Sequence, residues 1–458
     1  MNAVFFNEYI QTSPRFMTDF TPWTLFVDTG IISVLLLLGK LMRVKIRFIQ
    51  RLFIPPSLLA GFIGLSLGPH GFGIIPLSTQ TGTYAGILIA FIFGALPLIS
   101  QKAAKGDADN IGSMWAYSQA GMLLQWAFGG LLGLLVLNRI WPLNPAFGIT
   151  MPSGYCGGHG TAAAIGQAFS QFGYDEILTL AMTAATFGIV AAVIIGLIII
   201  KWGTKKGHTS FLANYDDLPH ELQTGLLPGD KRESMGESSC SSISIDPLTF
   251  NLIIVAVIAL GGYCISKTVS HFMPGFELPV FSCAFVVGIF KKIFDKTRTS
   301  DYVCPQTIGH ISGAFTDFLV AFGIASIKIS VVIEYIIPLL ILLVSGLIAT
   351  LIYVLVMARK LMKECWFEKA IFTWGWFTGT MAMGIALLRV ADPKMRSRCL
   401  DNYALAYLFI APVEISLITF APVAFLNGYG LVFTGICLAA GLAVLATAYI
   451  KGWFIRKQ

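Results

Sequence analysis

Apolar runs of bilayer length recur along this chain, and they restrict its fold more than any other feature. A helix needs about 20 apolar residues to cross a hydrocarbon core about 30 Å thick. A window of that length places crossings near residues 23–42, 54–73, 80–99, 111–137, 174–201, 248–268, 277–293, 306–327, 330–358, 402–424 and 430–450. With 56% hydrophobic and 12% charged residues, and a mean hydropathy of +0.76, the composition is far from a soluble average. The fold class is therefore an all-α polytopic membrane protein, because helices close their backbone hydrogen bonds within one segment.

Two more apolar stretches, about 146–170 and 367–390, are broken by glycines. Read as re-entrant hairpins, which enter and leave on one side, they keep the number of crossings odd. The basic residues test that reading. With the N-terminus outside, all but Arg15, Arg139, Lys267 and Lys328 of the 31 Lys and Arg fall inside, as the positive-inside rule requires. A full crossing by either hairpin would move every later basic cluster to the other side. The net charge of +7 is then an orientation signal and gives no reason to invoke nucleic acid. It also puts the C-terminus in the cytoplasm.

The N-terminal segment Met1 to Trp23 has no basic n-region and no small-residue cleavage site, so no signal peptide is expected there. The eight cysteines show no CxxC or zinc-like spacing and read as small buried apolar residues. Asp28, near the outer end of the first span, is expected to reach interfacial water.

The chain divides into an N-terminal half, residues 1–201, a polar Gly- and Ser-rich linker, 202–247, a second half, 248–426, and an extra helix with a cytoplasmic end, 427–458. Three segments recur in the same order in both halves. "FIPPSLLAGFIG" pairs with "FELPVFSCAFVVG", "AFIFGALPLISQK" with "FLVAFGIASIKIS", and "GTAAAIG" with "GTMAMGI". Each half holds five crossings and a hairpin, so the second copy is expected to insert upside down. Inverted repeats with a Gly-broken element in matching positions mark secondary transporters whose site lies near the midplane.

Irregular backbone at membrane depth is tolerated only where it is buried in protein or lines a watery cavity. In "SGYCGGHGT" the glycines Gly154, Gly157, Gly158 and Gly160 leave backbone groups bare. The N–H groups of a half-helix starting near Thr161 can hold a carboxylate, and the bared carbonyls can hold a hard cation such as Na⁺. Ser153 and Thr161 supply hydroxyls at this tip, and Thr378 and Thr380 supply them around Gly379 at the second. Asp317 and Glu414 are ionisable groups in the middle of spans, and such groups are functional candidates because burying them is expensive. Asp317 is the candidate Na⁺ ligand. A channel with re-entrant filter loops is an alternative. An enzyme would have to use Cys156 with His159, and the pair lacks a third orienting residue.

The run from Ser153 to Gly196, with its GGHGT core and the ATFG segment Ala185 to Gly188, resembles the first hairpin and following helix of bacterial sodium/glutamate symporters. "FELPVFSCAFVVGI" resembles another span of that family, and looser likeness covers most of residues 25–426. The resemblance implies an inner-membrane protein that takes up glutamate, or a related amino acid or carboxylate, with Na⁺ as coupling ion. It also implies opposed hairpins, an elevator-type motion, a homodimer in membrane lipid, no organic cofactor, and His159 in the substrate site. The second hairpin departs from the family pattern. Gly375 and Gly379 match, while Met381 and Met383 stand where threonines are expected and Leu387 stands for an asparagine.

Overall fold

In the computed structural model the described residues are 20–51, 54–99, 108–211, 224, 226–227, 234–241, 243–272, 278–293, 302–392 and 396–455. The expectations for residues 1–19, for Lys102 and Lys105, for most of the 202–247 linker, for Phe276 and Glu277 and for residues 456–458 lie outside them. The described residues form α1 (Pro22–Lys45), α2 (Arg47–Arg51), α3 (Pro56–Leu67), α4 (Thr81–Ile99) and α5 (Ala108–Ile140). After these come α6 (Thr150–Tyr155), α7 (Gly158–Ser170), α8 (Asp175–Lys205), α9 (Pro247–Phe272), α10 (Val280–Ile293), α11 (Pro305–Ala325) and α12 (Ile329–Glu334). The last are α13 (Ile336–Leu361), α14 (Trp366–Thr378), α15 (Met381–Ala391), α16 (Cys399–Leu426) and α17 (Gly430–Ile450).

Among the described residues nine helices are long and apolar enough to cross a membrane. Every expected crossing contains a helix, but two are short. α3 has 12 residues, about 18 Å at 1.5 Å per residue, and α10 has 14. Prolines set this limit for α3, where Pro55 is the N-cap and Pro56 the first helical residue, and Gly68 ends it. The expected span 330–358 is divided: α12 stops at Glu334, and α13 restarts after Tyr335 with Pro338 in its first turn. Proline lacks the N–H that a helix interior requires, so a first turn accommodates it most easily, although α4 holds Pro97 and α16 holds Pro412 and Pro422 within their lengths.

The helices sort into two compact units, each drawing from both halves of the sequence. One comprises 1–100, 224–272 and 279–334, and the other 101–223, 273–278 and 335–458. In the first unit α4 packs on α10 and α11, and α3 on α1 and α11. Ile32, Leu35, Ala60, Leu77, Tyr84, Ala321, Phe322 and Ala325 form one of its apolar clusters. Asp28 lies inside this unit and does not reach water: it is 0% exposed. It accepts hydrogen bonds from the Ser78 backbone N–H (2.9 Å), the Tyr84 hydroxyl (2.9 Å) and the Ser78 hydroxyl. The loop before α4 folds back on α1, and its donors satisfy the carboxylate that would otherwise have sought the interface.

The second unit holds most of the large buried side chains, including Trp126, Trp374, Tyr117, Tyr155, Phe147, Phe169, Phe367, Phe372 and Phe377. Its α5 carries a π-helical stretch, Gly133–Leu137. There Gly129 and Gly133 lie against Gly148, with no room for a β-carbon on any of the three. At the start of the linker the Ser210 backbone N–H donates to Glu368 of α14 at 2.6 Å, which ties the end of α8 to α14.

Removing the Asp28 carboxylate strands three buried donors, each costing about 1–3 kcal/mol when unsatisfied. Asp28→Ala should therefore lower the melting temperature of the purified protein more than Asp28→Asn, which keeps one acceptor. Equal, negligible shifts would contradict this assignment.

Candidate functional site

Both Gly-broken stretches fall in the second unit, and both are interrupted helices. The first is a 3-10 turn, Pro145–Ile149, followed by α6 and α7, with the break at Cys156–Gly157. The half-helix expected near Thr161 starts three residues earlier, at Gly158, because that glycine takes a left-handed φ of +61° at no steric cost. The second is α14 and α15, separated by Gly379 and Thr380. Thr380 is the N-cap of α15, and its hydroxyl accepts from the Met383 N–H at 3.3 Å.

The two breaks meet. A β-carbon on Gly158 would lie 2.7 Å from the Gly379 carbonyl oxygen and 2.8 Å from Thr380 Cγ2. The N-termini of α7 and α15 thus converge on one point. The first N–H groups of a helix have no acceptor within it, and its dipole favours negative charge there. Two such ends together form a place for an anion.

α8 serves as the wall of this point. The Gly154 position abuts the backbone of Ala184 and Ala185, and the Gly188 position abuts the Thr378 carbonyl oxygen and the Tyr155 ring. This accounts for the small residues of the Ala185 to Gly188 segment. Thr186, between them, donates to the Met182 carbonyl (2.9 Å) and meets His159 Nε2 at 3.0 Å. The single Thr186 proton is already committed, so in neutral His159 it is Nε2 that donates. Nδ1 is left as a buried acceptor with no partner. His159 is therefore not paired with Cys156, and the nucleophile–base arrangement an enzyme would need is not formed.

The remaining tip residues have ordinary local roles that leave lone pairs open. Ser153 donates to the Ile149 and Thr150 carbonyls (2.7 and 3.0 Å), and Thr378 donates to the Trp374 carbonyl (2.7 Å). With their protons turned away, both hydroxyl oxygens can still accept or coordinate. Thr161 is buried in the first turn of α7, and Gly160 is half-buried beside it. Glu414, on α16 of the same unit, accepts from Tyr407 at 3.0 Å. Asp317 lies on α11 in the first unit, where it is hydrogen-bonded with Ser57 and feels the charge of Lys40.

Several residues outside the sequence candidates complete the site. Gln125 of α5 donates to the Phe377 carbonyl (3.0 Å) and to Thr350 Oγ1 (2.9 Å), Trp374 donates to the Ala192 carbonyl (3.0 Å), and Tyr155 to the Leu343 carbonyl (2.8 Å). The mid-span amide in "MLLQWAF" was the available signal for Gln125. A search limited to ionisable groups passes over it. A cavity of about 500 Å³ between α5 and α13 reaches Gln125 and Phe377, but its walls are otherwise almost wholly apolar and offer a carboxylate little. Leu387, in place of the family's asparagine, packs on Gly196 of α8. At this position the chain makes an apolar contact on α8.

Gly158→Ala should reduce substrate binding at least about tenfold, since it adds left-handed strain and a clash with the second tip. Gly173 also has positive φ, +84°, but open space around it, so Gly173→Ala should bind as the parent does. Equal losses in both, measured by radioligand binding to monodisperse protein, would mean that strain alone is responsible.

The sodium/glutamate symporter family model matches residues 25–386. Curated sodium/glutamate symporters from Escherichia coli (strain K12) and Shigella flexneri are each 24% identical over 272 residues, 56% of this chain. That match spans 61% of the length of those relatives. A solved sodium proton antiporter from Methanocaldococcus jannaschii is similar over 89% of this chain and 100% of its own, at 15% identity and a TM-score of 0.40. The family match includes the first break and its α8 wall and extends to Ala386 in α15, and on that ground the chain, an integral multi-pass membrane protein, belongs to the sodium/glutamate symporter family.

Proposed function

We propose that the protein is a secondary active transporter that carries glutamate, or a related amino acid or carboxylate, together with Na⁺ by alternating access. The observation that carries this reading is the convergence of the α7 and α15 N-termini at Gly158, Gly379 and Thr380. A carboxylate fits that point because it meets unsatisfied N–H groups and two helix dipoles. Bared tip carbonyls and the Ser153 and Thr378 oxygens suit Na⁺. Further support comes from the family to which the chain belongs.

The buried lone pair on His159 Nδ1 narrows the substrate. An acceptor placed beside an anion site suits an ammonium group, so an α-amino acid satisfies both partners and a plain dicarboxylate leaves one unmet. Buried polar groups left unpaired are what allow a site to reject an analogue. Met381 and Met383 supply no oxygens at the second tip, which favours fewer polar contacts to the rest of the substrate than the family pattern implies.

The breaks are the tips of two re-entrant hairpins belonging to inverted repeats, the first open to the outside and the second to the cytoplasm. Both broken helices belong to one compact unit, which suits an elevator in which the unit carrying substrate moves as a body. The protein works as a homodimer in the inner membrane. Asp317, with Ser57 as a second oxygen, is a further candidate for holding Na⁺.

In proteoliposomes an imposed Na⁺ gradient should drive saturable uptake of L-glutamate. A dicarboxylate of the same length lacking the ammonium group should compete at least about tenfold more weakly. Equal competition would overturn the role given to His159, and non-saturating flux indifferent to the gradient would favour a channel. Asp317→Asn should shift the sodium dependence of that uptake. An unchanged sodium curve would assign Asp317 to an interhelical pair with Lys40.

A further inference from the structure

The family match ends at residue 386, and beyond it α16 carries a half-buried carboxyl group, Glu414, in the second unit. Ile410, Ile418, Ala421 and Phe425 are buried on one stripe of α16, and Glu414 occupies the position between Ile410 and Ile418 at helical spacing. Tyr407 donates to Glu414 Oε2 at 3.0 Å. The Tyr407 ring stacks on Tyr403 with centroids 5.6 Å apart. Tyr403 in turn meets Trp376 (5.0 Å) and Phe372 (4.8 Å) of α14, the helix that leads to the second tip. The Tyr403 hydroxyl is buried and has no partner, so it is a polar group with capacity to spare about three turns along the helix from the carboxylate.

Among the described residues no basic group pairs with Glu414. Its own helix carries Cys399, Asp401, Tyr403 and Tyr407. The elements packed against that helix carry Asp109, Tyr117 and Arg139 on α5, His159 on α7, Glu368 and Lys369 on α14, and Cys437 and Tyr449 on α17. Of all these, Tyr407 is hydrogen-bonded to Glu414, and Tyr403 and Cys156, the latter at the first break, lie near enough to feel its charge. None of the three is a cation. A carboxylate in such surroundings must find a positive charge from elsewhere or bind a proton.

We propose that Glu414, held by Tyr407, is a proton-binding site that reports to both tips, through Cys156 on one side and through Tyr403 and Trp376 on the other. The proton binds from water at one face, forming a carboxyl O–H bond, and leaves to water when the site opens to the other. Transport is then linked to protons as well as to the ion held at the tips. The site is separate from the substrate site, so it stands or falls independently of which amino acid is carried.

The test needs no substrate. Infrared difference spectra of the purified protein, taken between about pH 8 and about pH 5, a range bracketing carboxyl groups shifted by burial, should show a carboxyl C=O stretching band on acidification. The band should be absent in Glu414→Gln, present in Glu414→Asp, and displaced in frequency in Tyr407→Phe, which removes its hydrogen-bond donor. A spectrum that Glu414→Gln leaves unchanged would overturn the proposal. In proteoliposomes loaded with a pH-sensitive dye, L-glutamate uptake by the parent should acidify the lumen. Glu414→Gln should take up glutamate without acidification. Acidification by both proteins alike would also overturn the proposal. Failure of the parent to take up glutamate would instead sink the substrate reading and leave the infrared result to decide this one.

Discussion

Breaking a helix inside a membrane releases backbone donors and acceptors that lipid cannot satisfy, and the second unit is arranged around supplying their partners. Gln125 takes the Phe377 carbonyl at the end of α14. Trp374 and Tyr155 send their polar tips across to the Ala192 and Leu343 carbonyls, which holds the two broken helices against α8 and α13. Ser153 and Thr378 fold back onto their own helices. At the meeting of the breaks Nδ1 of His159 is left without a partner, and the first N–H groups of α7 and α15 have no acceptor within their own helices. A polar ligand placed there supplies those partners.

Close approach is the second requirement, and glycine meets it at the critical places. Gly158 serves twice, adopting a left-handed backbone and letting the Gly379 carbonyl lie against it. Gly154 and Gly188 let the breaks lie directly on the α8 backbone. Because these contacts are backbone to backbone, the site's geometry is set by helix packing and depends little on flexible side chains.

Much of this was legible in the sequence, because bilayer length and Gly or Pro interruption are local signals. The runs gave each crossing a helix, proline explains why α3 is short, and the two Gly-rich stretches became the two breaks. The failures are long-range. Asp28 sits near a span end, and nothing local indicates that Ser78 and Tyr84, about 50 residues on, fold back to bury it. Asp317 was legible as a costly mid-span charge, but its partners Ser57 and Lys40, in the unit that does not contain the breaks, were not. The His159–Thr186 pair depends on the packing of α7 along α8, which no spacing rule displays. That Leu387 packs on Gly196 of α8 is likewise a contact that spacing does not display.

The central claim is that substrate binds where α7 and α15 begin. A structure determined with L-glutamate and Na⁺ present tests it most directly. The account predicts density for a carboxylate within hydrogen-bonding distance of the first-turn N–H groups at Gly158–Gly160 and Met381, with the ammonium group towards His159 Nδ1. Density for the amino acid elsewhere, such as in the apolar cavity beside Gln125 or around Asp317, would contradict it.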